Sequence, residues 1–425
     1  MSEEFEAPRA PTGTHDVLPP ESSRWQSLLV LFATLAERWG FGMVHTPMFE
    51  DLRVFHRGMG EGSEVVGKEM YEFEDRGGRR LALRPEGTAS IVRAFVQHRP
   101  TTPWRAWYAT PSFRYERPQA GRYRQHHQVG VEALGSDDPD VDVEVITLAQ
   151  EFFHGLGLSQ FTLSVNSMGC STCRPAYLDA LRSHLEPQVA SLCPEHQERF
   201  ALNPLRVLDC KKDACLDTTA EAPMLLGALC EDCRTHHARV LDGLNARGVA
   251  WVANERLVRG FDYYTRTTFE FASSALEGAQ NAIGGGGRYD GLVEQLGGPA
   301  TPGIGFGIGI ERALLACDAE GVFAASPPVP VAFVVDVTGG VAARDLVASL
   351  RSMGLFVERA YDGRSMKAQF KAADRSGAPL ALLIGADELA AGSVTIRALR
   401  EQRDQVTKPL GELLNGIEQT GEIQW

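Results

Sequence analysis

Residues 281–316, "NAIGGGGRYDGLVEQLGGPATPGIGFGIGIERALLA", constrain this chain more than any other stretch. Four consecutive glycines, Gly284 to Gly287, bring no side chains. A flat ligand can therefore lie against the backbone, although a glycine run alone also suits a mobile loop. "GIGFGIGIER" is more specific: it reads as a Gly-rich strand running into a helix, with Glu311 and Arg312 at the junction. An arginine at a strand-to-helix junction suits a triphosphate. Upstream, "LVRGFDYYTRTTFEF" (257–271) alternates in its second half like a half-buried strand. Its first half crowds Arg259, Asp262, Tyr263 and Tyr264 together, which packing alone does not require.

With 425 residues the chain is too long for one ordinary core, so two or three domains are expected. Hydrophobic residues make up 44% and charged residues 23%, a folded rather than a disordered composition. No apolar run approaches the roughly 20 residues of a membrane span. The start, "MSEEFEAPRAPTG", is acidic and has no apolar signal-peptide core. The expectation is a cytoplasmic protein without a membrane contact, its eight cysteines reduced. A formal charge of −13 argues against a general nucleic-acid binder. Residues 331–425 are nearly neutral, so the acidic excess sits earlier, and any polyanion contact must be local.

"ESSRWQSLLVLFATLAERWG" predicts an amphipathic helix capped by Ser22 or Ser23. "FGMVHTPMFE" predicts a strand interrupted by Pro47, which suits an edge or an interface. "RRLALRPEGTASIVRAFVQH" reads as strand, turn and helix. "WRAWYATPSFRYE" and "QHHQVGVEALG" read as two strands joined by the basic loop "RPQAGRYR". A helix over about 139–156 and the strand "FTLSVNS" follow. Residues from about 168 to 236 hold seven of the eight cysteines and no long alternating strand, and read as an inserted subdomain. "FAASPPVPV" reads as a linker near residue 330. Beyond it, strand–helix–strand–helix–strand alternation predicts a small α/β domain over 331–425.

Three clusters carry candidate chemistry. "RPEGT" places Glu86 and Thr88 at a strand-to-helix turn, where an acidic residue also serves as a simple cap. In "SFRYE", Arg114 and Glu116 alternate with Phe113 and Tyr115 and so point to one strand face. Gln128 and Glu132 share a face of the returning strand. Cations and carboxylates on one face suit a phosphate and an amine, or equally a solvent-facing salt-bridge ladder. The Gly-rich segment with Arg312 is the third.

"FRYE" and "GIGIER" resemble motifs 2 and 3 of class II aminoacyl-tRNA synthetases, and Pro47 in "VHTPMFE" resembles the motif 1 proline of that family's dimer interface. "LVRGFDYYT" and "GGGGRYDGL" resemble the two histidine motifs of the histidyl-tRNA synthetase family; "RPEGTA", "ERPQAGRYRQHHQ" and "SMKAQFKAADRSGA" are also similar to it. The resemblance covers essentially the whole chain. It implies an α+β catalytic domain with an antiparallel sheet over 1–330, an insertion at about 168–236, and a C-terminal anticodon-binding α/β domain over 331–425. It implies activation of L-histidine with ATP and Mg²⁺ to histidyl-adenylate and pyrophosphate, then transfer to histidine tRNA by a homodimer. In its motifs Arg114 and Arg259 face the α-phosphate, Arg312 the outer phosphates, and Glu116 also binds ATP. Glu86, Gly87, Thr88, Gln128, Glu132, Tyr263 and Tyr264 surround histidine. Arg117, Arg122 and Arg124 meet the tRNA acceptor end. Lys367 and Lys371, at helical spacing with Arg375, suit anticodon-arm phosphates or simply one solvated helix face. The alternative is a non-catalytic regulatory paralogue of ATP phosphoribosyltransferase in histidine biosynthesis, which typically lacks the last domain and the intact histidine motif.

The insertion contains Cys170-x-x-Cys173, Cys193-x-x-His196, Cys210, Cys215 and Cys230-x-x-Cys233. Such pairs suit tetrahedral zinc. The resemblance requires no metal, so reduced thiols without zinc are the expectation and no metal ligand is assigned.

Overall fold

A computed structural model describes residues 7–59, 65–277 and 281–424. The chain divides into two compact units, Met1–Ala325 and Ser326–Trp425. The first is built on an eight-stranded sheet. Its order is Gly42–Met43, Trp104–Phe113, Gln125–Leu134, Gly303–Gly309, Ala282–Arg288, Thr265–Ser273, Phe161–Ser167 and Val252–Ala253. The six central strands pair antiparallel, as expected. The two-residue edge strands pair parallel.

The alternation in "GIGFGIG" decides what each face does. Ile304, Phe306 and Ile308 point into the main core with Val129, Val131, Phe269, Phe271, Phe152 and Phe153. Helices Glu21–Arg38, Pro139–Gly155 and Ile310–Glu320 contribute to that core. Successive strand residues alternate between faces, so the intervening glycines look to the opposite side. On that side the strand offers a floor of glycines free of side chains.

Several local expectations shift. The first helix starts at Glu21 behind Pro20 with no side-chain cap; Ser22 and Ser23 lie inside it, their amides bonded to the Leu18 and Pro20 carbonyls. "FGMVHTPMFE" forms two short strands in different sheets: Gly42–Met43 edges the large one, and Phe49–Asp51 joins a three-stranded sheet with Arg80–Leu83 and Glu72–Glu74. Pro47, without an amide hydrogen, lies between them. The strand before the basic loop ends at Phe113, so Arg114 and Glu116 lie beyond it rather than on one strand face. The chain turns there because the Glu116 amide bonds the Arg114 carbonyl at 2.8 Å.

The Cys-rich stretch has no strand among its described residues. It runs through short helices, Arg174–Leu185, Pro194–Arg199 and Asp213–Thr218, with 3₁₀ turns between, and meets the helix Glu231–Ala246. The second unit has a five-stranded sheet ordered Val357–Arg359, Ala332–Asp336, Leu380–Ile384, Ser393–Ala398 and Val406–Pro409. The first three strands are parallel, as alternation with helices requires. The antiparallel last two, and the helix Leu410–Thr420, add to the expected pattern.

Candidate active site

The Gly-faced side of the large sheet collects the polar residues. Glu132 stands opposite Gly305 across the strand pair, and a Cβ at Gly305 would overlap its carboxylate. The side chain lies fully buried across that bare backbone. It accepts hydrogen bonds from Thr88 Oγ1 at 2.7 Å, Tyr289 OH at 2.5 Å and Tyr108 OH at 3.3 Å. Burial pushes the Glu132 carboxyl up to about 8, opposed by the bonds from Tyr289 and Thr88 and reinforced by the charge of Glu86. A carboxyl that is costly to ionise alone is one prepared for a cationic or N–H partner.

Glu86 is also buried, and its two oxygens accept from the Thr88 and Ala89 amides at 2.7 Å each. It therefore caps the helix Thr88–His98, whose N-cap residue is Gly87. Burial raises its pKa while those amide bonds lower it. Thr88 joins the two carboxylates, its amide on Glu86 and its hydroxyl on Glu132. Gln128 lies on the same face of that strand, its Oε1 accepting from Ser112 Oγ at 3.3 Å.

Residues 257–264 form a loop before the strand that begins at Thr265. Arg259 donates from its NH1 nitrogen to Glu270 Oε2 at 2.6 Å, while its Nε–H is buried without a protein partner. A Cβ at Gly285 would come within 2.8 Å of that NH1 nitrogen and 2.7 Å of the Phe269 carbonyl. The glycine strand thus gives Arg259 room to cross it. Asp262 does not pair with Arg259; its Oδ1 accepts from Asn203 Nδ2 at 2.8 Å. Tyr263 and Tyr264 are buried, with ring centroids 4.7 Å apart, and Tyr263 meets the edge of Tyr289 at 5.9 Å. Burial raises both phenols above their ordinary value.

Arg114 donates from Nε to the Pro85 carbonyl at 3.0 Å and lies 5.6 Å from the Phe261 ring. Burial holds it below its ordinary value; Glu69 and Glu86 oppose that shift, and the charge of Arg259 adds to it. Two arginines therefore converge beside the carboxylates. Arg312 bonds the Ala282 carbonyl at 2.8 Å and the Gly121 carbonyl at 3.2 Å. Its neighbour Glu311 turns away to accept from the amide and Nδ1 of His127.

The basic loop is less outward than its sequence implies. Arg117 is exposed, but Arg122 is ion-paired with Glu116. Arg124 bonds the Glu116 carbonyl at 3.2 Å and covers the Tyr115 ring at 4.0 Å. In the second unit Lys367, Lys371 and Arg375 are exposed on the helix Met366–Arg375, whose Gln369 and Ala373 are buried.

Sequence reasoning did not single out Tyr108, Tyr289 or Glu270, each of which touches a predicted site residue. Tyr289 stands just beyond the glycine run, after Arg288, which is a signal; Tyr108 and Glu270 are located only by register, opposite Gly130 and Gly285. A buried network at the end of the glycine strand was also unforeseen: Asp142 bonds Arg288 and, at 3.1 Å, His236. In the insertion, two groups of four metal-type ligands converge: Cys170, Cys173, Cys230 and Cys233, and Cys193, His196, Cys210 and Cys215.

Comparison with known proteins follows the same division. Residues 13–313 match the family model described as Histidyl-tRNA synthetase, and residues 332–420 match the Anticodon binding domain. The chain is 46% identical over 422 residues to the histidine–tRNA ligase of Moorella thermoacetica, covering 98% of this chain and 99% of that one. It is 48% identical over 417 residues to that of Rhodococcus erythropolis, covering 95% and 98%. The crystal structure of apo S. aureus histidyl-tRNA synthetase superposes with a TM-score of 0.82 at 33% identity, over 97% of this chain and 100% of that one.

Proposed function

The chain belongs to the histidyl-tRNA synthetase family and has the activity of a histidine–tRNA ligase; from that premise we propose how its residues divide the work. Identity maintained over nearly the full length, last domain included, favours this activity over the regulatory paralogue.

L-Histidine and ATP react on the Gly-faced side of the sheet in the catalytic domain, residues 1–330, with the insertion at about 168–236 beside it. The amino-acid carboxylate is already ionised at neutral pH, so forming histidyl-adenylate needs no general base. It needs in-line placement and cations around the α-phosphate. Arg259 carries this reading: its buried Nε–H has no protein partner, and Arg114 lies near enough for the two charges to be felt. Arg259 and Arg114 grip the α-phosphate from two sides, Arg312 holds the outer phosphates, and Glu116 orders the ATP side through Arg114 and Arg122. Mg²⁺, bound with ATP, offsets the remaining phosphate charge.

Glu86 faces the amino group of histidine, using lone pairs left over from its two amide bonds, with Gly87 and Thr88 beside it. Glu132 and Tyr264 address the two imidazole nitrogens, with Tyr263 and Gln128 alongside. A ring with a polar atom on each side needs both partners, since one left unpaired is costly. Transfer to the 3′ end of tRNA uses Arg117, with Arg122 and Arg124 released from Glu116 as the acceptor end arrives. Lys367 and Lys371 of the anticodon domain, residues 331–425, take phosphates of the anticodon arm.

The protein acts as a cytoplasmic homodimer. Met43, Met48, Phe49 and Phe73, around Pro47, are each about half exposed, an apolar surface that a second copy would cover. No described helix is long and apolar enough to cross a membrane. ATP–pyrophosphate exchange tests the reading: it should depend on histidine among the amino acids. Exchange with none would favour the regulatory paralogue, and exchange with another amino acid a different synthetase.

A further inference from the structure

We propose that the insertion holds two mononuclear zinc ions, one on Cys170, Cys173, Cys230 and Cys233, the other on Cys193, His196, Cys210 and Cys215. In each group the ligand atoms all lie within 4.8 Å of one another. In the first, the Sγ atoms of Cys170 and Cys173 are 3.8 Å apart, Cys170 and Cys230 3.7 Å, and Cys173 and Cys233 3.9 Å. Four sulfurs placed tetrahedrally at the usual zinc–sulfur distance of about 2.3 Å are about 3.8 Å from each other. A disulfide would need about 2.05 Å. In the second group His196 Nδ1 lies 3.1 Å from Cys193 Sγ and 3.7 Å from Cys215 Sγ. A zinc bound by one imidazole and three thiolates sets that separation at about 3.6 Å.

The surroundings agree with bound thiolates. Backbone amides point at the sulfurs: Cys170 N to Cys173 Sγ at 3.2 Å, Thr172 N to Cys170 Sγ at 3.4 Å, and Cys193 N to Cys215 Sγ at 3.3 Å. Charge-assisted bonds of this kind stabilise the anion. Five of the seven cysteines are buried, an environment hostile to free thiolates and suited to neutralised ones. Two of the helices between them, Pro194–Arg199 and Asp213–Thr218, are six residues long, too short to hold themselves without a staple. Tetrahedral sulfur-rich donors select zinc among common divalent ions, and sulfurs this close leave no room for a multi-iron cluster.

Each knot leads to the loop at 260–264. Arg174, next to Cys173, donates to the carbonyls of Met168 and Tyr264. Between Cys193 and Cys210, Asn203 holds Asp262 and Arg206 donates to the Gly260 carbonyl. The ions would therefore fix the loop that presents Tyr263 and Tyr264. This consequence rests on the proposed role of those tyrosines; the metal sites do not.

Elemental analysis of tag-free protein should find about two zinc per chain, with X-ray absorption showing mainly sulfur at about 2.3 Å plus an imidazole contribution. Cys233→Ser and Cys210→Ser should each lower the count to about one. Should either variant fail to fold, titration of the native protein with a mercurial serves instead: it should release zinc to a chromogenic chelator and lower the melting temperature. Less than about a tenth of an equivalent of zinc, with the thiols titrating freely, would overturn the proposal, as would iron in zinc's place. If Cys210→Ser keeps exchange activity, its histidine KM should rise about fivefold or more against little change for ATP. One zinc lost with both KM values unchanged would end the loop-fixing consequence and leave the sites standing.

Discussion

Arg259 crosses a glycine strand with one nitrogen on Glu270 and another buried hydrogen unpartnered. A cation held this way is already organised for charge that develops only during reaction. Arg259→Ala should slow single-turnover adenylate formation by about 100-fold or more, with histidine affinity nearly unchanged. Lysine should rescue partly, having no planar fork. Near-normal activation combined with a much lower melting temperature would reduce the Arg259–Glu270 pair to structure alone. Glu132 makes a different prediction. Its folded pKa of about 8 lies above the ordinary 4.5, so the stability it contributes is complete below the unfolded value and lost as pH rises through about 8. Urea midpoints should therefore fall between about pH 5 and 8 more steeply for the native protein than for Glu132→Gln. The same variant should raise the histidine KM far more than the ATP KM; equal effects would make Glu132 a scaffold residue.

At the level of elements, the site exists because two adjacent strands give up side chains on one face. Gly305→Ala would put a methyl into the Glu132 carboxylate, and Gly285→Ala would press one against the Phe269 carbonyl and Arg259. Backbone cannot yield as a flexible side chain does, so each should cost about 1–3 kcal/mol of stability, read by denaturant titration, and most of the exchange activity. The helix Pro139–Gly155 is tied to the glycine strand by Asp142 and Arg288, both fully buried. Burial alone would raise the Asp142 pKa, but the His236 bond and the Arg288 charge hold it below the ordinary value. Its contribution is present above the ordinary aspartate pKa and lost as pH falls through the folded one. Asp142→Asn, which leaves the buried Arg288 only the Asp290 carboxylate at 3.4 Å, should destabilise by about 3 kcal/mol in urea titration.

On the scale of the molecule, the proposed chemistry belongs to the first compact unit and the proposed anticodon-arm contact to the second. The contact proposed for the second would be made by exposed cations, so its test is salt dependence. Lys367→Ala and Lys371→Ala should each reduce the slope of log affinity for tRNA against log salt by about 1. An unchanged slope would return these lysines to an ordinary solvated face. The proposed dimer is a separate matter of apolar cover: sedimentation at micromolar concentration should give twice the mass of 46.4 kDa, and monomer alone would contradict it.

Much of this was legible in one dimension, because faces of strands and helices repeat at short range. "GIGFGIG" already states which side is core and which is bare, and "TRTTFEF" and "FTLSVNS" state their strands. Motif spelling carried the family, and with it the roles proposed for Arg114, Arg259, Glu132 and the tyrosines. What tertiary structure decided were partnerships between distant residues, which depend on strand register and on how loops close. Glu132 is held by Thr88, Tyr108 and Tyr289 from three other elements. Arg259 takes Glu270 rather than the adjacent Asp262, because Glu270 stands across from the gap at Gly285. The cysteines show the division most clearly. Each C-x-x-C is visible in sequence, but only folding brings Cys170 within 3.7 Å of Cys230, since the 60-residue separation is spanned by short helices and turns with no period from which their meeting could be read.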